Sequence, residues 1–323
     1  MKETALLSIW RFRAIIAAMK PINYIELTNE EVGTLNRADT VFISAISPIE
    51  AHGPHLPLGT DIFVAEKLRD RIAERLVAAR PETKIIYLPT LALGSDPIPV
   101  KGSISIGHQG IQSIVFDIGK SLSDLGFKYW ILTDNHGGPH HQMAIELSAR
   151  RLAGMGFNLI APFHSLFRRM VGHDSGLLEK TGLKPGTCGD SDDAHGGTNE
   201  TSLCLASFAD KMSDLWKSMG PGKKSDKKLQ YHALSAVSKL LSALGARDAA
   251  LDFDFLAHAL TWVSDPEMSP YQGDPSKASA EAGVAMLDYH ADLAVDLYEQ
   301  ARSGKTVEQK PLGWSIRAIR NIV

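Results

Sequence analysis

The chain has 323 residues, 44% of them hydrophobic, enough for one large α/β domain or two small ones. With 34 Lys and Arg against 37 Asp and Glu, its formal net charge of −3 gives no electrostatic case for nucleic acid or an anionic membrane surface. Two cysteines, Cys188 and Cys204, exclude a disulfide framework and fit a reducing, cytoplasmic compartment.

Residues 5–19 are apolar, but Arg11 and Arg13 interrupt them and no small-residue cleavage pattern follows. The run is also too short to span a bilayer. An amphipathic helix packed on the domain or on a neighbouring subunit is expected, within an extension covering residues 1–22. Residues 41–46 (VFISAI) predict a buried strand. Ile62, Ala65, Leu68, Ile72 and Leu76 recur at helical spacing and predict a helix over 61–79. Further strands are expected at 84–88, 128–133 and 157–163, separated by helices at 111–125 and 141–155. That alternation predicts a mostly parallel sheet covered on both faces by helices. From residue 199 the pattern turns mostly helical, with helices at 200–211, 232–244 and 276–301. The polar run 220–228 reads as an exposed loop.

Three loops carry the residues that could do chemistry. The first, SPIEAHGPHLPLGTD at 47–61, follows the first strand and holds Glu50, His52, His55 and Asp61. Glu50 and His52 are two apart, so in an extended segment they point the same way. Asp61 alone would read as a helix cap or first-turn acid, and His55 as a shaper of the loop. The second loop, TDNHGGPHH at 133–141, follows another strand and sets His136 before two glycines that allow close backbone approach. Pro139 suits a first helical turn, and His140 and His141 read as surface residues. The third, DSDDAHGGTNETS at 190–202, places His195 before a helix and Glu200 in its first turn, with Thr198 or Asn199 as the cap. Asp190, Asp192 and Asp193 lack the calcium-loop pattern and read as a solvated acidic loop. The remaining histidines read as surface or satisfied core residues. Together the loops offer Glu50, His52, Asp61, His136 and Glu200, a mixed imidazole and carboxylate set suited to Zn, Mn or Fe. One bridging carboxylate with two further ligands per ion needs about five side chains. His195 is then left as a proton carrier titrating near neutrality.

These segments resemble the motifs of the creatininase family. Residues 48–61 resemble its signature loop, 135–138 (NHGG) its second motif, 195–202 (HGGTNETS) its third, and 271–283 (YQGDPSKASAEAG) a late GDP-containing region. They stand in family order. The resemblance implies a three-layer α/β/α fold, formed by a single domain over 1–323 with a helical insert at about 212–265. It implies a binuclear centre in which Glu50, Asp61 and His136 hold one metal and His52, Asp61 and Glu200 the other. His195 matches the catalytic histidine, and Glu200 joins it there. Gly137 and Gly138 stand where true creatininases carry Tyr-Glu, so this chain is more similar to the formamide-hydrolase and peptidase-like branches. The implied reaction is hydrolysis of a non-peptide C–N bond in a small molecule by a metal-bridging hydroxide, within a homo-oligomer such as a hexamer. Alternatives keep the metals but cleave a C–C bond of a cyclic polyol ketone, or make the loops phosphate or nucleotide cradles or a metal-stabilised assembly.

Overall fold

The computed structural model describes residues 21–225, 229–307 and 309–315, so the helix expected over 5–19 lies outside the described residues. A two-residue strand β1 (Ile22–Asn23) and a short helix α1 (Asn29–Thr34) come first. Then follow β2 (Thr40–Ala45), α2 (Thr60–Ala79), β3 (Lys84–Tyr87), α3 (His108–Asp124), β4 (Tyr129–Thr133), α4 (Pro139–Ala153) and β5 (Asn158–Ile160). The remainder is helical: α5 (Pro162–Val171), α6 (Ser175–Thr181), α7 (Thr198–Phe208), α8 (Leu229–Ala243), α9 (Arg247–Val263) and α10 (Ala280–Arg302).

The five strands pair in the order β1-β3-β2-β4-β5, every pair parallel. Alternation along each strand builds the three layers. Val41, Ile43, Tyr129 and Ile131 face a core shared with α2, α5, α7 and α10. Phe42, Trp130 and Leu132 face the other, shared with α3 and α4. Phe42 and Trp130 are fully buried, and each such side chain contributes roughly 1.5–3 kcal/mol by leaving water.

One expectation is corrected. The segment 157–163 is a strand only as far as Ile160, because Pro162 sits in the first turn of α5 and its fixed φ starts a helix there. The strand β1 and helices α1 and α6 are too short to show a period, while α5 carries Phe163, Leu166, Phe167, Met170 and Val171 at helical spacing. No helix among the described residues is long and apolar enough to cross a membrane.

The connection from β3 to β4 crosses β2, so the sheet is built outward in opposite senses from the parallel neighbours β2 and β4. Loops leaving the carboxyl ends of β2 and β4 therefore flank one crevice, the usual ligand position in an open parallel sheet.

Candidate metal centre

The loop after β2 is fixed along its length. Ile46 and Ile49 bridge to Leu91 and Ile104, and Glu50 N–H donates to the Leu58 carbonyl at 2.9 Å. Glu50 and His52 consequently share one side of an extended strand-like segment, and both are buried. Asp61 follows in the first turn of α2, where free backbone N–H groups favour an anion. The loop after β4 is organised by Asp134, whose buried Oδ1 accepts from Ser47 Oγ at 2.7 Å, Asn135 N at 2.8 Å and His136 N at 3.0 Å. Glu200 lies in the first turn of α7. That helix is capped by Asp193, which accepts from Thr198 N at 2.6 Å and Asn199 N at 2.9 Å. Neither Thr198 nor Asn199 is the cap, and the acidic loop is not solvated: Asp190 and Asp193 are buried and only Asp192 is exposed.

The five groups converge as two triplets that share Asp61, with Glu50 and His136 in one and His52 and Glu200 in the other. His136 Nδ1 lies 2.9 Å from Glu50 Oε2 and 3.6 Å from Asp61 Oδ2. On the other side, His52 Nε2 lies 3.2 Å from Asp61 Oδ1 and 3.6 Å from Glu200 Oε2. Each imidazole has its second nitrogen beside a backbone carbonyl: His136 Nε2 is 2.8 Å from Ser95 O and His52 Nδ1 3.1 Å from Glu50 O. With those N–H groups so engaged, the inward nitrogens present lone pairs to carboxylates, and acceptor meets acceptor. Only a proton or a cation resolves that confrontation. Glu50 Oε2, His52 Nε2 and Asp61 Oδ2 are buried and make no hydrogen bond. The donor set of each triplet therefore fits a divalent cation.

Electrostatics point the same way. Burial raises the pKa of Asp61, and it pushes Glu200 up to about 8 although His52 opposes it. Burial works against charged imidazoles too. Asp61 and Glu200 nonetheless push His52 up to about 10, and Glu50 and Asp61 do the same for His136, to about 10. Burial also disfavours the Glu50 carboxylate, but His136 and the neighbouring imidazoles hold it below the ordinary range. Without cations the cluster thus keeps protons on His52, His136 and Glu200 at neutral pH. Cations must displace them, so affinity is expected to fall as pH drops below about 10, by about tenfold per displaced proton per pH unit. Calorimetric titration at pH 7 in buffers of different ionisation heat should show more than about one proton released per chain. Binding without proton release would contradict this distribution.

His195 stands beside the centre. Its Nε2 lies 2.8 Å from the Ala51 carbonyl and its ring stacks on His52 at 4.0 Å, with Trp262 behind it at 5.3 Å. Burial first, then His52, lowers its pKa to about 3, so it does not titrate near neutrality as its residue type alone predicts. The ring is neutral, with Nε2–H donated to Ala51 and Nδ1 left to take or give a proton. Together with His52, Asp61, His136 and Glu200 it lines a cavity whose other wall is Phe163, Phe167 and Met170.

Sequence reasoning missed Asn135. Its Nδ2 donates to Asp61 Oδ1 at 3.1 Å and Glu200 Oε1 at 3.2 Å, tying the shared carboxylate to the third loop. Its place in the NHGG motif was the available signal. His141 is also misread as a surface residue: it is fully buried, with Nε2 3.2 Å from Asp134 Oδ2. His140 pairs with Asp96 at 2.8 Å, and His55 Nε2 lies 3.0 Å from Thr201 Oγ1 within the loop it shapes. Gly138 is needed for space. A Cβ there would sit 2.3 Å from His136 Nε2 and 2.6 Å from Ser95 O. Gly138→Ala should push the imidazole off its carbonyl and weaken cation affinity about 10–100-fold, measurable by competition with a chelating dye.

Comparison with known proteins completes the picture. The sequence model of the creatininase family, described as creatinine amidohydrolase, matches residues 25–298. Among curated proteins, the mycofactocin precursor peptide peptidase of Mycobacterium tuberculosis (strain ATCC 25618 / H37Rv) is 26% identical over 200 residues, 58% of this chain and 69% of that one. Its counterpart in Mycolicibacterium smegmatis (strain ATCC 700084 / mc(2)155) is 26% identical over 111 residues, 34% of this chain and 44% of that one. A third, from Mycobacterium ulcerans (strain Agy99), is matched over 54% of its length, so the chain spans about half of several relatives. A crystal structure of creatinine amidohydrolase (creatininase) superposes with a TM-score of 0.59 at 20% identity, covering 87% of this chain and 98% of that one. At such identity the likeness shows a common fold. Since the family match takes in most of the sequence, including all three loops of the centre, the chain belongs to the creatininase family.

Proposed function

We propose that the chain is a hydrolase that cleaves the C–N bond of an amide with two divalent cations of the Zn, Mn or Fe class. Glu50, Asp61 and His136 hold one, and His52, Asp61 and Glu200 the other. The observation that carries this reading is the confrontation of buried acceptors across Asp61, where Glu50 Oε2 and His52 Nε2 lie at ion-pair distance from neighbours yet make no hydrogen bond. When bound, the cations supply Lewis acidity, polarising the amide carbonyl and lowering the pKa of the attacking water. The remaining work falls to the protein. Asn135 holds Asp61 and Glu200 in register through its amide. The backbone N–H of Gly137, a residue of the cavity wall, is the candidate donor to the developing oxyanion. His195, its tautomer set by the Ala51 carbonyl, takes a proton from the attacking water at Nδ1 and passes that same proton to the leaving nitrogen. Phe163, Phe167 and Met170 keep bulk water from the opposite wall.

The names of the curated relatives favour a second reading of the substrate, an amide within a short peptide in place of a small formamide or lactam. Metal-stripped protein reloaded with Mn, Zn or Fe and offered formamides, lactams, short peptides and cyclic polyol ketones separates the cases. Metal-dependent turnover of an amide supports the proposal and identifies its class. Turnover of the ketones alone would move the reaction to a C–C bond. Phosphate-dependent thermal stabilisation with no metal-dependent turnover would overturn it.

A further inference from the structure

We propose a separate mononuclear cation site of the zinc class formed by His173, Cys188 and Asp190. One ligand atom from each lies within 4.8 Å of the other two. Cys188 and Asp190 are buried, whereas the His173 side chain is 44% exposed. Asp190 Oδ2 already accepts from Gly186 N at 2.8 Å and lies 2.5 Å from His173 Nε2. Its other oxygen, Oδ1, is buried with no hydrogen-bond partner, which is costly for a carboxylate unless something else binds there. His173 stands at φ 52°, a left-handed conformation uncommon for a residue with a side chain, and it is this turn after α5 that brings the imidazole over the loop.

Thiolate, imidazole and carboxylate together make a borderline-soft donor set of the kind zinc takes. Bonds of about 2.0–2.3 Å in a tetrahedral site put donors roughly 3.3–3.8 Å apart. The donors lie within 4.8 Å of one another, and rotation of the partly exposed imidazole, whose Nε2 must also withdraw from Asp190 Oδ2, would adjust them to that spacing. Its solvent side leaves the fourth position to water. On binding, the Cys188 thiol, now directed at the Met170 carbonyl at 3.7 Å, loses its proton to solvent as sulfur becomes the ligand. Gly189, between Cys188 and Asp190, and Met170 both belong to the wall of the main cavity. A cation here would staple the end of α5 to that wall without joining the centre itself.

The test is a Co²⁺ titration of the metal-free full-length chain, followed by absorption. Wild type should develop a thiolate-to-cobalt charge-transfer band, with one thiolate-bound cobalt per chain once every site is filled. Cys188→Ser should abolish it. His173→Asn, at an exposed position where Asn tolerates the backbone, should raise the half-saturating Co²⁺ by more than about tenfold. Asp61→Asn should leave the band intact, which separates this site from the proposed binuclear centre. No thiolate band in wild type would overturn the proposal. So would a band that survives Cys188→Ser, which would assign the sulfur to Cys204, or one indifferent to His173→Asn.

Discussion

Asp61→Asn is expected to empty both positions of the proposed binuclear centre and to lower kcat/KM more than about 10³-fold, since losing a single oxyanion donor elsewhere already costs about 10²–10³. Asp61 is the only side chain in both triplets, with Oδ1 3.2 Å from His52 Nε2 and Oδ2 3.6 Å from His136 Nδ1. An amide is nearly isosteric, but its nitrogen has no lone pair to offer, so it cannot bridge. The variant should still fold. Burial and Glu50 both disfavour a charge at Asp61, and a neutral amide removes that repulsion. Wild type should lose thermal stability on chelation, by about 4 kcal/mol for each cation of the centre that stands at a thousand times its Kd, and the variant should lose that part of the response. Elemental analysis finding two metals on Asp61→Asn would refute the shared carboxylate.

His195→Gln should behave differently. Its amide N–H can still reach the Ala51 carbonyl, so the loop and the metal content should be kept while proton transfer is lost. A fall of about 10²–10⁴ in kcat, with little change in metal stoichiometry, is the expected result. Equal turnover in wild type and variant would remove His195 from the chemistry. A fall accompanied by loss of metal would mean that the ring acts by supporting His52, on which it stacks at 4.0 Å.

Much of this was legible before any coordinates. Alternation of Val41, Ile43 and Phe42 between opposite faces follows from strand geometry, and the long spacing in α2 marks a helix packed on one side. The five groups of the centre were readable because they fall in motif loops at strand ends. What stayed hidden depends on partners distant in sequence. Asn135 matters only because Asp61 and Glu200, 74 and 65 residues away, come within reach of its amide. Asp193 reads as a solvated acid until the start of α7 is seen to close over it. His195 keeps an imidazole's ordinary pKa on paper, and only burial beside His52 lowers it. The short helix α6 occupies too few turns for a periodicity to declare itself, whereas α5 went unread although Phe163, Leu166, Phe167, Met170 and Val171 recur at helical spacing.

The segment following β3 has a consequence for the order in which the centre fills. Ile98 N–H reaches Glu50 Oε1 at 2.6 Å, and the Ser95 carbonyl holds His136, so that one stretch of backbone braces both outer members of one triplet. Glu200 in the other triplet is braced instead from Gly196, at 2.5 Å. Anything that lifts residues 95–98 would slacken one half and spare its twin. The proposed pair would accordingly be a lopsided clasp, whose two ions should arrive and depart in separate, unequal steps.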